Sequence, residues 1–357
     1  MPVRHNYIKR VIVDGALWCA LCVLLIVGFV NQSAVKRYSP VSLRYSTPIS
    51  GQAAYAARQY SIAQSGEAPF WPMFWKEYKA SLSSEFVSVD TDCIAFSGDA
   101  SLVWPADYIC GAAPSVVDDT GCAVSETLAW RLWGSADVVG MTVEADGDTR
   151  VVRGVFKGND ELALISFRDE DTAPNWNVVD LTGGPNDAVR SDAESFAQAA
   201  GLGKPDAIVM KGPSSISRVL AIFPLLILAF YAAALIIGFV RKRFPAARKP
   251  VFYICIILFA VALPLILGAM PAWSVPTRWS DFSFWVSLLK KAASGLRGFL
   301  QTAPQLRDVE LRMLLIKQAG ISLISICCAL SVCFRWRLSH GFISDIYGAG
   351  SESIEIQ

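Results

Sequence analysis

Four long runs without a single charge decide what this chain can become. Residues 15–35, 219–240 and 251–277 carry no Asp, Glu, Lys or Arg, and a fourth run, 318–334, is extended by Met313–Ile316 on the far side of Lys317. A membrane span needs about 20 apolar residues, and each run can supply them. Four transmembrane helices are therefore expected, over 11–31, 217–240, 251–271 and 313–334. The mean hydropathy of +0.40 agrees, being too high for an ordinary soluble chain. A cleaved signal peptide would need a small-x-small site after Val30. Lys36-Arg37-Tyr38 follows instead, so the first run reads as an uncleaved helix.

Charge sets the orientation. The flanks Arg4, Lys9 and Arg10, then Arg241, Lys242, Arg243, Arg248 and Lys249, then Arg335 and Arg337, are all basic. Basic short loops stay in the cytoplasm, and four helices with both termini inside satisfy all three flanks. Residues 1–10 and 335–357 are then cytoplasmic ends, and 241–250 is a cytoplasmic loop. Residues 32–216 form a large extracytoplasmic domain between the first two helices, and 272–312 return outside. Between residues 38 and 210 there are 24 acids and 11 bases, so the overall charge of +1 hides a strong asymmetry. Threading across a bilayer accounts for it; basic patches interleaved with exposed aromatics, the mark of nucleic-acid binding, are missing. Asp14 falls near the inner end of the first helix. It reads as a headgroup-depth residue close to Lys9 and Arg10, or else as a functional membrane carboxylate.

Along the outer domain, residues 53–63 read as a helix. An aromatic cluster at Pro69-Phe70-Trp71-Pro72-Met73-Phe74-Trp75 follows, fit for a core, a lid or a seat on headgroups. Residues 76–82 read as a further helix. Strands are expected over 85–95, 101–109, 162–168 and 175–181, a helix over 187–200 and a closing strand at 208–210. The central stretch, 121–156, is the most legible. It divides into a strand at 122–125, an amphipathic helix at 126–133 and a turn at Gly134-Ser135. A hairpin follows, turning on Asp146-Gly147-Asp148, because Asp-Gly between alternating apolar runs is a strong hairpin signal.

Little in the chain is reactive. The only histidines, His5 and His340, lie on the cytoplasmic fringe, and no His/Cys/Asp cluster has metal spacing. Asp118-Asp119 lacks the spaced oxygen ligands of a calcium loop. No nucleophile elbow, zinc-protease helix or phosphate loop occurs; Gly201-Leu202-Gly203-Lys204 runs straight into Pro205. No catalysis, cofactor or metal is expected. Cys19 and Cys22 form C-x-x-C within a span, where small apolar packing is the expected role. Three cysteines lie outside, Cys93, Cys110 and Cys122. They allow one disulfide at most, and Cys110 with Cys122, flanking a Pro-containing loop, is the candidate pair.

The run 121–156 resembles the periplasmic core of MacB-like ABC permeases, the group that includes the FtsX-like permeases. Ser125, Glu126, Ala129, Leu132 and Gly134 follow the family's Ser-Glu-x-x-Ala-x-x-Leu-x-Gly helix. Val139-Gly140 precedes a strand, and Val151-Val152-Arg153-Gly154-Val155 corresponds to its V-x-G-V strand. The likeness covers residues 85–160. It implies four transmembrane α-helices plus an α+β extracytoplasmic domain of MacB-periplasmic-core type inserted between helices 1 and 2. It further implies a cytoplasmic ABC ATPase as partner, and a homodimer or a second permease chain. The family's coupling helix, an Arg-Glu-Ile-like motif followed by Gly-Ala, would fall at 241–250. That loop instead carries Pro245 and Pro250, with Arg241, Lys242, Arg243, Arg248 and Lys249 as its candidate coupling residues. In the outer return, Trp273, Trp279, Phe282 and Trp285 crowd the start of an amphipathic helix at 282–300, which suits the outer membrane surface or a partner. Two readings follow: a permease-like subunit of an ABC assembly, or a non-transporting, membrane-anchored binding protein. A membrane enzyme is a third reading, against which the missing acid–base constellation stands.

Overall fold

The computed structural model describes residues 2–38, 40–64, 69–85, 87–168, 175–184, 190–243 and 304–349, with a few single positions between 253 and 297. The chain divides into two compact units. One comprises residues 1–35, 214–289 and 312–357; the other comprises residues 36–213 and 290–311.

The second unit is a sheet domain. Its elements are β1 (Val41–Ile49), α2 (Gly51–Ala63), β2 (Phe70–Ser83), β3 (Ser88–Ser97), α3 (Ala100–Val103), β4 (Tyr108–Gly111) and β5 (Gly121–Ser125). Then come α4 (Glu126–Trp133), β6 (Thr142–Ala145), β7 (Asp148–Phe156), β8 (Leu162–Ser166), β9 (Trp176–Gly183), α5 (Arg190–Ala199) and β10 (Ala207–Val209). The strands form one mixed sheet in the order β10-β1-β9-β2-β3-β8-β5-β7-β4, and β6 pairs with both β2 and β7. The pairings β2–β3–β8–β5–β7–β6–β2 therefore close on themselves. Closure satisfies backbone groups that an open edge would leave bare.

The expected strand, helix and hairpin of 121–156 are present. Ser125 caps α4 by accepting from the Leu128 N–H at 3.3 Å, and Gly134 ends it in the left-handed conformation. Asp146 (φ 53°) and Gly147 (φ 91°) make the two-residue turn between β6 and β7. Both positive φ values are what a type I′ hairpin requires, and Asp-Gly supplies them at least cost.

Two expectations are corrected. Residues 76–82 are not helical but belong to β2, which also takes in the aromatic cluster. There, Phe74 and Trp75 are both fully buried. A strand covered on both faces has no apolar alternation to read. Residues 101–109 are not one strand; they hold the turn of α3, capped by Asp99, and the start of β4.

The two faces of the sheet are packed differently. On one, Leu43, Phe74, Val179 and Leu181 meet Ala54 and Ala57 of α2 and Phe196 and Ala197 of α5. Further along, Val124, Val152 and Ile165 meet Leu128 and Leu132 of α4. On the other, Trp75, Ile94, Phe96, Leu164 and Val178 pack with Val103 of α3 and with Leu306.

The first unit is helical: most of α1 (Pro2–Arg37), α6 (Gly212–Arg243) from Ser214 on, and α7 (Leu306–Ala349) from Arg312 on. Three helices among the described residues are long and apolar enough to cross a membrane, over Ile12–Arg37, Gly212–Leu235 and Leu306–Arg335. The expected span at 251–271 lies outside the described residues. The last helix begins at Leu306, seven residues before the expected span, and continues through the tail to Ala349.

Within this unit α1 and α7 run antiparallel in a fixed register. Asp14 accepts from Arg335 Nε at 2.6 Å, and Asn31 donates to Gln318 Oε1 at 2.9 Å. The contacts are 17 residues apart on each helix, 14 to 31 and 335 to 318, or about 25 Å of helix. That length approaches the hydrocarbon thickness of a bilayer, so a polar clamp stands at each end of an apolar seam. Asp14 thus finds a partner on α7. Pro224 in α6 lacks the N–H that would bond the Leu220 carbonyl, and Ser322 of α7 donates to that carbonyl instead, at 2.7 Å.

Candidate functional site

Three adjacent strands of the sheet domain, β1, β9 and β2, point charged or polar side chains to one face. The register puts Ser42, Asp180 and Met73 on one rung and Arg44, Val178 and Trp75 on the next, with Glu77 beyond. Alternation along each strand sends the neighbours Leu43, Val179 and Phe74 to the opposite face. The first turn of α7, which belongs to this same unit, lies on these residues.

Arg307 and Asp308 of that turn each have an ion-pair partner on the sheet. Arg307 donates to both oxygens of Asp180, from Nη2 at 3.0 Å and from Nη1. Trp75 Nε1 donates to the same carboxylate at 2.8 Å, and the Arg307 guanidinium stacks 4.5 Å from the Trp75 ring centroid. Asp180 is 0% exposed and Arg307 2%. Asp308 accepts from Arg44 Nη2 at 3.0 and 3.3 Å, and reaches back to the Gln305 N–H at 3.3 Å. Gln305 is the N-cap, since its carbonyl takes the Val309 N–H, so Asp308 makes half of a capping box. The N–H groups of Leu306 and Arg307 act on Glu77 of β2. A helix start leaves its first N–H groups unpaired and favours negative charge there; Glu77 and Asp308 answer both needs.

Two guanidinium groups balance the carboxylates of Asp180 and Asp308, and Glu77 is the surplus acid. Burial pushes the Glu77 carboxyl above the usual glutamate value, against the pull of the Leu306 and Arg307 N–H groups and of Arg44. Burial also lowers Arg44, against the pull of Asp308. Arg44 Nε and Nη1, Arg307 Nε and Glu77 Oε1 have no hydrogen-bond partner among the described residues. Among the described residues no group of His, Cys, Asp and Glu could hold a metal ion. The cluster holds the first turn of α7 to the sheet.

None of these contacts was visible in the sequence. Arg307 and Asp180 are 127 residues apart, and a lone acid among Val178, Val179 and Leu181 of β9 is the only hint.

The sequence-derived candidates fall elsewhere. Arg241, Lys242 and Arg243 form the end of α6, while Arg248 and Lys249 lie outside the described residues, as do Trp273, Trp279, Phe282 and Trp285. The disulfide expectation is corrected: Cys110 and Cys122 are both free. Cys110 is on β4 and Cys122 on β5, and β7 runs between them, paired with each. Two strand spacings make about 9–10 Å, beyond the reach of a disulfide. Burial pushes the Cys122 thiol up to about 12, so it is unreactive at neutral pH. Asp118 pairs with Arg153 at 2.7 Å.

No protein-family model matches the chain, and no curated protein does. Solved structures do. The extracellular domain of the noncanonic ABC-type transporter YknZ from Gram-positive bacteria is 13% identical, with TM-score 0.38 over 48% of this chain and 97% of that one. The periplasmic region of MacB from Actinobacillus actinomycetemcomitans is 12% identical, with TM-score 0.39 over 48% and 88%. The chain is similar to MacB's periplasmic region. That is the family which the run 121–156 resembles. A domain of a putative permease protein from Porphyromonas gingivalis is also 12% identical, with TM-score 0.35 over 48% and 86%. At such identities and scores, nothing about partners or substrate passes from these proteins to this chain.

Proposed function

We propose that the chain is a permease-like subunit of an ABC-type assembly, relaying motion between a cytoplasmic ATPase and the sheet domain on the outer side. One observation carries the reading. The turn Leu306–Leu311 is bonded to β1 and β9 through buried charge pairs and meets β2 through its N–H groups on Glu77 and the stack of Arg307 on Trp75, and the same helix continues as the apolar stretch to Arg335. A helix that only anchored a domain would not need its first turn tied to two strands by desolvated ion pairs, whose charges are costly to bury. In this reading the fourth span is 251–271, both termini are cytoplasmic, and residues 32–216 are inserted between the first two spans. The basic flanks and the antiparallel register of α1 and α7 support it, since that register puts Asp14 and Arg335 at one end. The motifs of 121–156 support it too. ATP is hydrolysed by a separate polypeptide, and the chain works as a homodimer or with a second permease chain.

The alternative, a non-transporting outer binding protein with an anchor, is favoured by Pro245 and Pro250 in the inner loop, where a coupling helix would stand. Crosslinking in native membranes followed by purification separates the two. The permease reading expects an ATPase chain to be recovered, and to be lost when Arg241, Lys242 and Arg243 are replaced by Ala. Recovery of no ATPase chain favours the anchor.

A further inference from the structure

We propose that the helical unit binds one buried water molecule beside Pro224, held by Gln318. Gln318 is completely buried, and its two amide ends have different fates. Its Oε1 accepts from Asn31, which fixes the orientation of the amide, while Nε2 has no hydrogen-bond partner among the described residues. A buried donor left without an acceptor costs about 1–3 kcal/mol, so such atoms mark places where something accepts. Gln318 lines a cavity of about 10 Å³ together with Gly28, Leu220, Pro224, Ser322 and Ser325 among others, and a Cβ built on Gly28 would lie 3.8 Å from Nε2. That volume matches about one water-sized probe.

The chemistry selects the occupant. The orphan group is an N–H, so its ligand must accept a hydrogen bond; a metal cation fails this test. A second requirement is acceptors for the ligand's own protons. Ser322 and Ser325 spend their hydroxyl protons on the Leu220 and Ile321 carbonyls, which leaves their oxygen lone pairs free to accept. Water alone among common small species accepts from Nε2, donates to hydroxyl oxygens and fits the volume. Gly28 explains how the space is kept. A Cβ there would stand 3.5 Å from Ile321 Cγ2 and 3.8 Å from Gln318 Nε2, ordinary contacts that forbid nothing. The glycine is therefore not demanded by close helix packing; its bareness leaves room at the amide. The site adjoins Pro224 and the Leu220 carbonyl that it frees, which Ser322 takes.

Two measurements on the full chain decide it. The first is a structure in lipid nanodiscs at a resolution that shows ordered solvent. It should place a peak within hydrogen-bond distance of Gln318 Nε2 and of Ser322 or Ser325 Oγ; no peak there, or a protein acceptor on Nε2, overturns the proposal. The second is the melting temperature of Gly28→Ala in the native and Gln318→Leu backgrounds. Filling the site should lower Tm when Gln318 is present, because the donor is stranded, and raise it when Gln318 is replaced. A rise of equal size in both backgrounds overturns the proposal.

Discussion

Arg307 lays both terminal nitrogens of its guanidinium on the Asp180 carboxylate, with both side chains almost wholly withdrawn from solvent. The pair joins the first turn of α7 to the middle of a sheet. Its strength is asymmetric: removing one partner strands the other charge in an apolar setting. Arg307→Met or Asp180→Leu alone should therefore cost about 3–5 kcal/mol, whereas the double variant should lose far less or even gain. Thermal unfolding of the full chain in detergent checks this, with all four proteins compared. Additive single losses in the double variant would contradict the pairing.

Glu77 gives the domain a pH dependence. Its carboxyl is raised in the folded state, so the folded protein prefers it protonated. Below the ordinary glutamate value both states are protonated and the group contributes nothing. As pH rises from that value through the raised one, the unfolded chain ionises first and stability falls. Glu77→Gln keeps an acceptor for the helix N–H groups and removes the titration. Its melting temperature should exceed that of the native chain at pH 7, and the difference should vanish near pH 4. Equal values at both pH settings would contradict the assignment.

How much of this was readable beforehand divides by the range of the interactions. The β5–α4–hairpin run was legible because its signals are local: a capping Ser125, a left-handed Gly134 and an Asp-Gly turn each fix a few neighbouring dihedrals. β2 was misread because Met73, Phe74 and Trp75 are buried in succession, with helices and α7 covering opposite faces. β1 went unread because Ser42 and Arg44 occupy buried positions and Pro48 interrupts the run. The site depends on long-range pairing of β1, β9 and β2 and on where α7 begins. No local pattern encodes either, and the uncharged run at 318–334 drew attention away from Leu306.

Cys110 and Cys122 should behave as free thiols. Denatured without reductant, both should alkylate fully; in the folded chain at pH 7 Cys122 should stay unmodified, because it is buried and its thiol lies near 12. Mass spectrometry of alkylated peptides reads the result. A requirement for reductant before Cys110 and Cys122 react would contradict the strand order.

The α1–α7 register makes a sharp crosslinking prediction. Gly28 faces Ile321, so Gly28→Cys with Ile321→Cys should oxidise to a crosslinked product in membranes. Val27→Cys with Leu323→Cys, built on two exposed positions, should not. Crosslinking of both pairs alike would indicate helices without fixed register.

The central claim is that α7 carries motion to the sheet through its first turn. The most direct test is the alkylation rate of a cysteine introduced at Val309, which is 47% exposed, in native membranes with and without ATP. The coupling account predicts a rate that changes with ATP in the otherwise native chain and ceases to change once Asp180→Leu cuts the tie. A rate indifferent to ATP in the chain with its Arg307–Asp180 pair intact would contradict it.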